Sequence, residues 1–356
     1  MRKFVVATML VVLLAVAVLP THHAEPVEAQ DTFRVAVVMP SATNDLAFSQ
    51  SMYDALVTIQ EEMGEDNFEF VFQEGTFVVD DAAIALREWA LEGYDLIIAH
   101  GSQYGAVLEE LAPDFPDVSF AWGTDSDTFG LDNVFAYDAA SDQGGFVNGF
   151  VAANLSESGV IGVVGPIETG DAKLYVDGFV QGVAYADEEI EVNVNYIGSF
   201  SDVALAAEAA EAHIANDADV LTGSAQMVVG AVGVAIEEEG DVLWFGTQAN
   251  QTELAPEIVV ASQVYHWEVI LSEMIELIQD GTLGGETFSI TLENEGLVIE
   301  FNEDFELDEE LLAEVDTLIE DIIAGDVQTL PEEEDEDVDE EMEDAEENAN
   351  ESAETD

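Results

Sequence analysis

Cysteine is absent from the 356 residues. Disulfides, thiolate metal sites and a cysteine nucleophile are thereby excluded, as is a lipid anchor on an N-terminal cysteine. Basic side chains are nearly absent too: five Lys and Arg stand against 79 Asp and Glu, a formal charge of −74. So few cations cannot neutralise phosphates, which excludes nucleic acid and anionic lipid as partners. Histidine is scarce: His22 and His23 lie near the N-terminus, and His100, His213 and His266 lack the spacing of a zinc site. There is no G-x-S-x-G elbow and no P-loop lysine, and Gly159, Gly162 and Gly165 are spaced G-x-x-G-x-x-G rather than as a dinucleotide fingerprint. The segment starting Asp125-Ser126-Asp127 opens like a calcium loop but has Phe129 at its fifth position and Ala136 at its twelfth. No catalytic residue, cofactor or metal ligand is assigned.

The acid that is present has two distributions. Residues 331–356 hold 16 carboxylates, with Glu332 to Asp337 an unbroken run. Such a block repels itself and is expected to be a disordered tail. Another 61 carboxylates are spread over residues 30–330, opposed only by Arg34, Arg87 and Lys173. A body this acidic repels itself in dilute buffer and is relieved when salt near 1 M shortens the Debye length to about 3 Å. The composition reads as adaptation to very salty surroundings; a polycation or calcium buffer is the alternative. At the other end, Arg2 and Lys3 precede the apolar run Phe4–Leu19 and the small-residue exit Val27-Glu28-Ala29. This pattern predicts a secretory signal over residues 1–29 and an extracytoplasmic mature protein. The run falls short of the about 20 residues of a membrane span. An uncleaved anchor is the alternative.

Hydrophobic residues make up 48% of the chain, enough for a large core. Phe33–Met39 is a continuous apolar run, the mark of a strand buried on both faces. Strand and helix patterns then alternate regularly: Phe68–Phe72, Ala82–Leu91, Leu96–Ala99, Val107–Leu111 and Val118–Trp122. A second series runs Val160–Val164, Leu174–Ala184, Val192–Ile197, Ala204–Ala215, Val220–Leu221, Val228–Glu237 and Val242–Phe245. Such alternation predicts an α/β protein with parallel sheets covered by helices on both faces. Two Rossmann-like lobes are expected, an N-terminal one over 30–138 and a second mainly over 139–330, with part of 247–280 returning to the first. Beyond them the pattern predicts a strand Ile258–Ala261, a helix around Val269–Ile278, a hairpin-like Thr287–Phe301, and a last helix capped by Asp308 and stopped by Gly325.

Ligands of open α/β sheets bind beyond the carboxyl ends of the strands. Those positions here carry Asn44, Asp45 and Phe48; Gly101 and Ser102; Trp122 and Asp125; Ser224 and Gln226; Gln248 and Asn250; and Tyr265. Glycines, amides, hydroxyls and aromatics together suit a small-molecule cleft, although glycine and polar residues follow many strands for turn reasons alone. Phe48 and Trp122 are the expected stacking walls. Asn44, Asp45, Gln226, Gln248 and Asn250 are the expected hydrogen-bond partners. Of the three basic residues only Lys173 lies near a strand-to-helix loop, so the expected ligand is neutral or cationic.

At these residues the chain resembles the basic-membrane-protein family of ABC transporter substrate-binding proteins, which includes purine-nucleoside receptors. The likeness runs over roughly residues 32–325. It is carried by Asn44–Ser51, Tyr94–Gly101, Gly144-Gly145-Phe146-Val147-Asn148-Gly149, Ile161–Gly165, Phe179-Val180-Gln181-Gly182 and Ala218–Val220. The resemblance implies the type I periplasmic-binding-protein fold, a hinge, a ligand trapped between the lobes and ABC permease subunits as partners. Several positions depart from the nucleoside-binding pattern: Gln248 stands where such members have Asp, Tyr265 where they have Lys, and Thr222 where they have a stacking aromatic. The family's lipid-carrying Cys is also missing. A ligand-sensing subunit of a membrane receptor, or a secreted hydrolase using cleft carboxylates, are the alternatives.

Overall fold

The computed structural model describes residues 32–331. The expected signal segment 1–29 and the acidic run from Glu332 lie outside the described residues.

Six strands form the first sheet: β1 (Phe33–Val38), β2 (Phe68–Gln73), β3 (Leu96–His100), β4 (Ser119–Gly123), β5 (Val134–Ala139) and β11 (Thr287–Ile290), in the order β11-β5-β4-β3-β1-β2. All are parallel. The second sheet contains β6 (Val160–Gly165), β7 (Glu191–Tyr196), β8 (Val220–Gly223), β9 (Leu243–Gln248), β10 (Val259–Tyr265) and β12 (Leu297–Phe301), in the order β12-β10-β9-β8-β6-β7. Only β12 runs antiparallel, against β10. These two mostly parallel α/β lobes form a type I periplasmic-binding-protein fold.

Burial on both faces explains the apolar runs. In β1, Phe33, Val35 and Val37 pack into one core cluster while Ala36 and Val38 pack into another. Helices α1 (Phe48–Met63) and α8 (Glu268–Gln279) cover one face of the first sheet, and α2 (Val79–Glu92) and α3 (Gly105–Leu111) cover the other. In the second lobe α4 (Ser141–Leu155), α5 (Gly170–Ala186) and α9 (Glu309–Ala324) lie on one face, and α6 (Val203–Ile214) and α7 (Val229–Glu237) on the other. Asp308 caps α9 by accepting from the Glu310 N–H, and Gly325 ends it in the left-handed region.

The chain passes between lobes three times: from β5 into α4, from β10 into α8, and from β11 to β12. Thr287–Phe301 is therefore not a hairpin. Its two halves close the open edges of different sheets, β11 beside β5 and β12 beside β10. Within the stretch 247–280, β10 stays in the second sheet while α8 packs on α1. β10 also runs on to Tyr265, because the polar Ser262 and Gln263 are fully buried in the sheet.

The glycine motifs of α4 and α5 do structural work. A Cβ on Gly145 would sit 2.3 Å from the Tyr175 carbonyl oxygen, on Gly149 2.1 Å from that of Phe179, and on Gly182 2.0 Å from that of Phe146. The two helices thus meet backbone to backbone, an approach only glycine allows.

Candidate functional site: a cleft between the lobes

The carboxyl ends of both sheets face a common cleft of ≈ 450 Å³, open solvent at its mouth included. The first lobe contributes Pro40, Phe48, Phe77, Gly101, Ser102, Gln103 and Thr124; the second contributes Thr169, Gly170, Asp171, Ala172, Phe200, Ala225, Gln226 and Gln248. Aromatic faces and a few aimed polar groups are what a small-molecule pocket requires. Two of its non-glycine residues, Ala225 (φ 71°) and Gln248 (φ 72°), hold left-handed backbone, a strain that collects at binding sites.

Phe48 opens α1, and its ring lies flat on the His100 imidazole, centroids 3.8 Å apart and planes 8° apart. His100 is fully buried at the end of β3. Its Nε2 lies 3.1 Å from the Phe48 carbonyl, which can only accept, so Nε2 carries the proton and Nδ1 accepts from the Tyr137 hydroxyl at 2.8 Å. Burial pushes the imidazole down to about 3, so it is neutral. Trp267, edge-on to His100, Tyr137 and Tyr265, donates to Ser51 Oγ at 3.0 Å and locks this aromatic layer at the second crossing.

Asp171, in the first turn of α5, is 7% exposed and faces the cleft. Thr124 Oγ1 of the first lobe donates to its Oδ1 at 3.4 Å. The Tyr265 hydroxyl, at the end of β10, donates to its Oδ2 at 3.3 Å. Tyr265 is in turn 2.5 Å from Ser141 Oγ, at the start of α4. Burial raises the carboxyl to about 6 despite these bonds. Burial first, and the Asp171 charge second, raise Tyr265 well above the ordinary phenol range.

Of the twelve positions expected from the sequence, Phe48, Gly101, Ser102, Gln226 and Gln248 line this cleft. Ser224 is buried beside it, its hydroxyl without a partner. Tyr265 stands behind the cleft, holding Asp171. The other five do not line it. Asn44 is exposed. Asp45 is turned to the start of α1, where its carboxylate accepts from the Ala47, Ser49 and Gln50 N–H groups. Trp122 points with Phe120 into the α2–α3 core, stacked on Phe129 at 4.8 Å, so it is not a ligand wall. Asp125 folds back on the Ser126 and Asp127 N–H groups. Asn250 bonds Glu300 in a second groove, which Tyr265 and Gln248 also line. Sequence reasoning missed Asp171, His100, Phe77 and Phe200.

The three basic residues are all engaged elsewhere. Arg34 pairs with Glu69 at 2.8 Å and covers the Tyr94 ring, Arg87 pairs with Asp114 at 3.4 Å, and Lys173 pairs with Asp177 one turn along α5. Lys173 does not reach the cleft; it lines a separate depression with Tyr196 and Pro331. Among the described residues, the cleft therefore has a carboxylate and no basic side chain.

Two α/β lobes closing on an aromatic and amide-lined cleft define a solute-binding protein. More narrowly, the chain belongs to the Bmp family, described as ABC transporter substrate-binding protein PnrA-like, whose model matches residues 32–329. This is a family of binding proteins rather than a class of enzymes. The chain is 26% identical over 252 residues to the transcriptional activator protein Med of Bacillus subtilis, covering 71% of this chain and 77% of that one. It is 24% identical over 254 residues to a purine-binding protein of Brucella abortus, covering 71% of each. Among solved structures it is similar to an ABC transporter solute-binding protein from Conexibacter woesei (TM-score 0.68, 25% identity, 84% of this chain and 99% of that one). A solute-binding protein from Aeropyrum pernix shares the fold (TM-score 0.70, 20% identity, 85% and 95%).

Proposed function

We propose that the protein is the extracytoplasmic receptor of an ABC importer, capturing a small neutral or cationic solute, nucleoside-like by preference, and handing it to the permease. The observation that carries this reading is the composition of the cleft. Phe48 offers a flat ring backed by a neutral imidazole, Phe77 and Phe200 stand nearby, and Gln103, Gln226 and Gln248 supply amides. Stacking faces with amides suit a heterocycle, and a carboxylate without any basic partner disfavours anions. Ligand that touches both lobes binds the closed form more tightly and shifts the hinge equilibrium toward it. The purine-binding name of the Brucella relative supports the same ligand class. Export through the N-terminal signal would deliver the protein to the outer face of the membrane, where the permease is its partner.

Calorimetric titration in molar KCl against nucleosides, nucleotides, dicarboxylates and cationic amines tests this. Binding of a nucleoside or amine is expected. Tight binding of a phosphate or dicarboxylate overturns the charge argument. The activator names of some relatives favour a second reading, a ligand-sensing subunit. Loss of solute uptake on deletion of the gene supports the importer; unchanged uptake with altered gene expression supports the sensor.

A further inference from the structure

We propose that Asp171 is the residue that sets ligand charge and couples binding to closure: its carboxylate receives a hydrogen-bond donor of the bound molecule. This rests on the reading of the cleft as the ligand site and assigns the group within it that decides specificity.

Asp171 is a buried carboxylate with no cation beside it. A buried carboxylate is costly unless strong donors surround it. The side-chain donors of Asp171 are two neutral hydroxyls at 3.3 and 3.4 Å, longer than the 2.5–3.0 Å usual for such bonds. The titratable side chains that face it are Tyr265 from β10 and Tyr137 from β5, both raised by burial and by its charge. Thr124, from the loop after β4, and the N-terminal backbone of α5 complete its surroundings. No cation is among them, and Lys173, two residues on, is held by Asp177.

A second, independent acceptor lacks a partner in the same cleft. Gln248 is 2% exposed, lines the cleft, and its Oε1 has no hydrogen-bond partner. Two acceptors carried by residues that line one cleft call for a ligand that brings donors: amine N–H, amide N–H or hydroxyl groups.

The position of Asp171 explains how that contact would be felt at a distance. Thr124 belongs to the first lobe. Tyr265 and Ser141 sit at the second and first crossings between lobes. The Tyr265 hydroxyl has one proton; given to Asp171, it leaves Ser141 to donate to Tyr265. One chain of hydroxyls, Ser141 to Tyr265 to Asp171 with Thr124 on the other side, thus joins two of the three crossings and both lobes to a single carboxylate. A ligand donor that fixes Asp171 in its ionised form strengthens every link of that chain.

The test uses the full chain in molar KCl, with adenosine, agmatine and adenosine monophosphate as probes, for wild type and Asp171→Asn, at about pH 8 and about pH 5. Wild type is expected to bind adenosine or agmatine and to reject the monophosphate. Its affinity should fall about tenfold per pH unit below about 6. The Asn variant should bind about 10- to 100-fold more weakly at the higher pH and lose the pH dependence. Should the variant fold poorly, the wild-type pH profile alone decides: a flat profile overturns the proposal. Binding of adenosine or agmatine that is equal in both proteins overturns the role of Asp171 and leaves the proposed function standing. Binding of none of the three, or of the monophosphate alone, overturns the proposed function and this inference with it.

Discussion

Asp171→Asn should make the ligand-free protein more stable at neutral pH, although it removes native interactions. The ordinary carboxyl value is 3.8 and burial raises Asp171 to about 6. A group raised in the folded state binds more protons there than in the unfolded chain. Stability is therefore greatest below 3.8, declines as pH rises through the window to about 6, and is flat above it. About two pH units at 1.36 kcal/mol each amount to roughly 3 kcal/mol of destabilisation at pH 8. Asn keeps the shape. Its carbonyl can accept from Tyr265, its amide can donate to Thr124 Oγ1, and no charge is buried. The variant should then exceed wild type by roughly 3 kcal/mol at pH 8, which is roughly 5 °C in Tm, and match it near pH 4. Calorimetric melts of dialysed protein in molar KCl from acid to neutral pH measure this. A difference that is constant across the pH range would show that packing, not charge burial, governs the site. A less stable variant at pH 8 would refute the electrostatic account outright.

Phe48→Leu should keep the packing of α1 but remove the flat wall, lowering affinity for a stacked heterocycle about tenfold with little change in Tm; calorimetry beside a thermal melt separates the two effects. His100 should stay neutral throughout the physiological range, its NMR shifts flat between about pH 8 and about pH 5. With a folded value near 3 against 6.5 unfolded, it contributes stability above pH 6.5 that is lost as pH falls toward 3, opposite in sign to Asp171; a midpoint near 6.5 would contradict its burial. Gly182→Ala places a methyl 2.0 Å from the Phe146 carbonyl oxygen and should cost about 1–3 kcal/mol or more in denaturant unfolding. Because the body carries its own acid surplus, protein cut after Pro331 should still need molar salt; equal melting temperatures in dilute buffer and molar KCl would end that explanation.

The architecture was legible because strands buried on both faces cannot alternate: β1, β3 and β6 announce themselves as apolar runs, and the helices between them follow. The site was legible only in part, for reasons that differ by residue. Trp122 sits at a strand end, but strand alternation gives it the same face as Phe120, which belongs to the core. Asp45 is followed by Ser49 and Gln50, whose backbone it caps, so its chemistry was used up locally. His100 gains its role from Phe48 and Tyr137, 52 and 37 residues away, and nothing near it in sequence says so. Asp171 was concealed by abundance. First-turn acids recur in this chain, as at Asp80, Asp81, Asp142 and Glu309, and only burial separates the one that faces a cleft.

The third crossing has a consequence for the order of folding. The first sheet ends at β11 and is covered by α8, both of which follow β6 to β10 in the chain. A nascent chain that has emerged only through β5 holds an incomplete first lobe: the edge of β5 is unpaired, and α1 lacks its neighbour. Such an edge invites pairing with another chain, and closing it late requires long-range contacts that form slowly. The carboxylates spread along every segment then act before the fold exists. Like charge on each such edge disfavours its pairing with a second copy at close range.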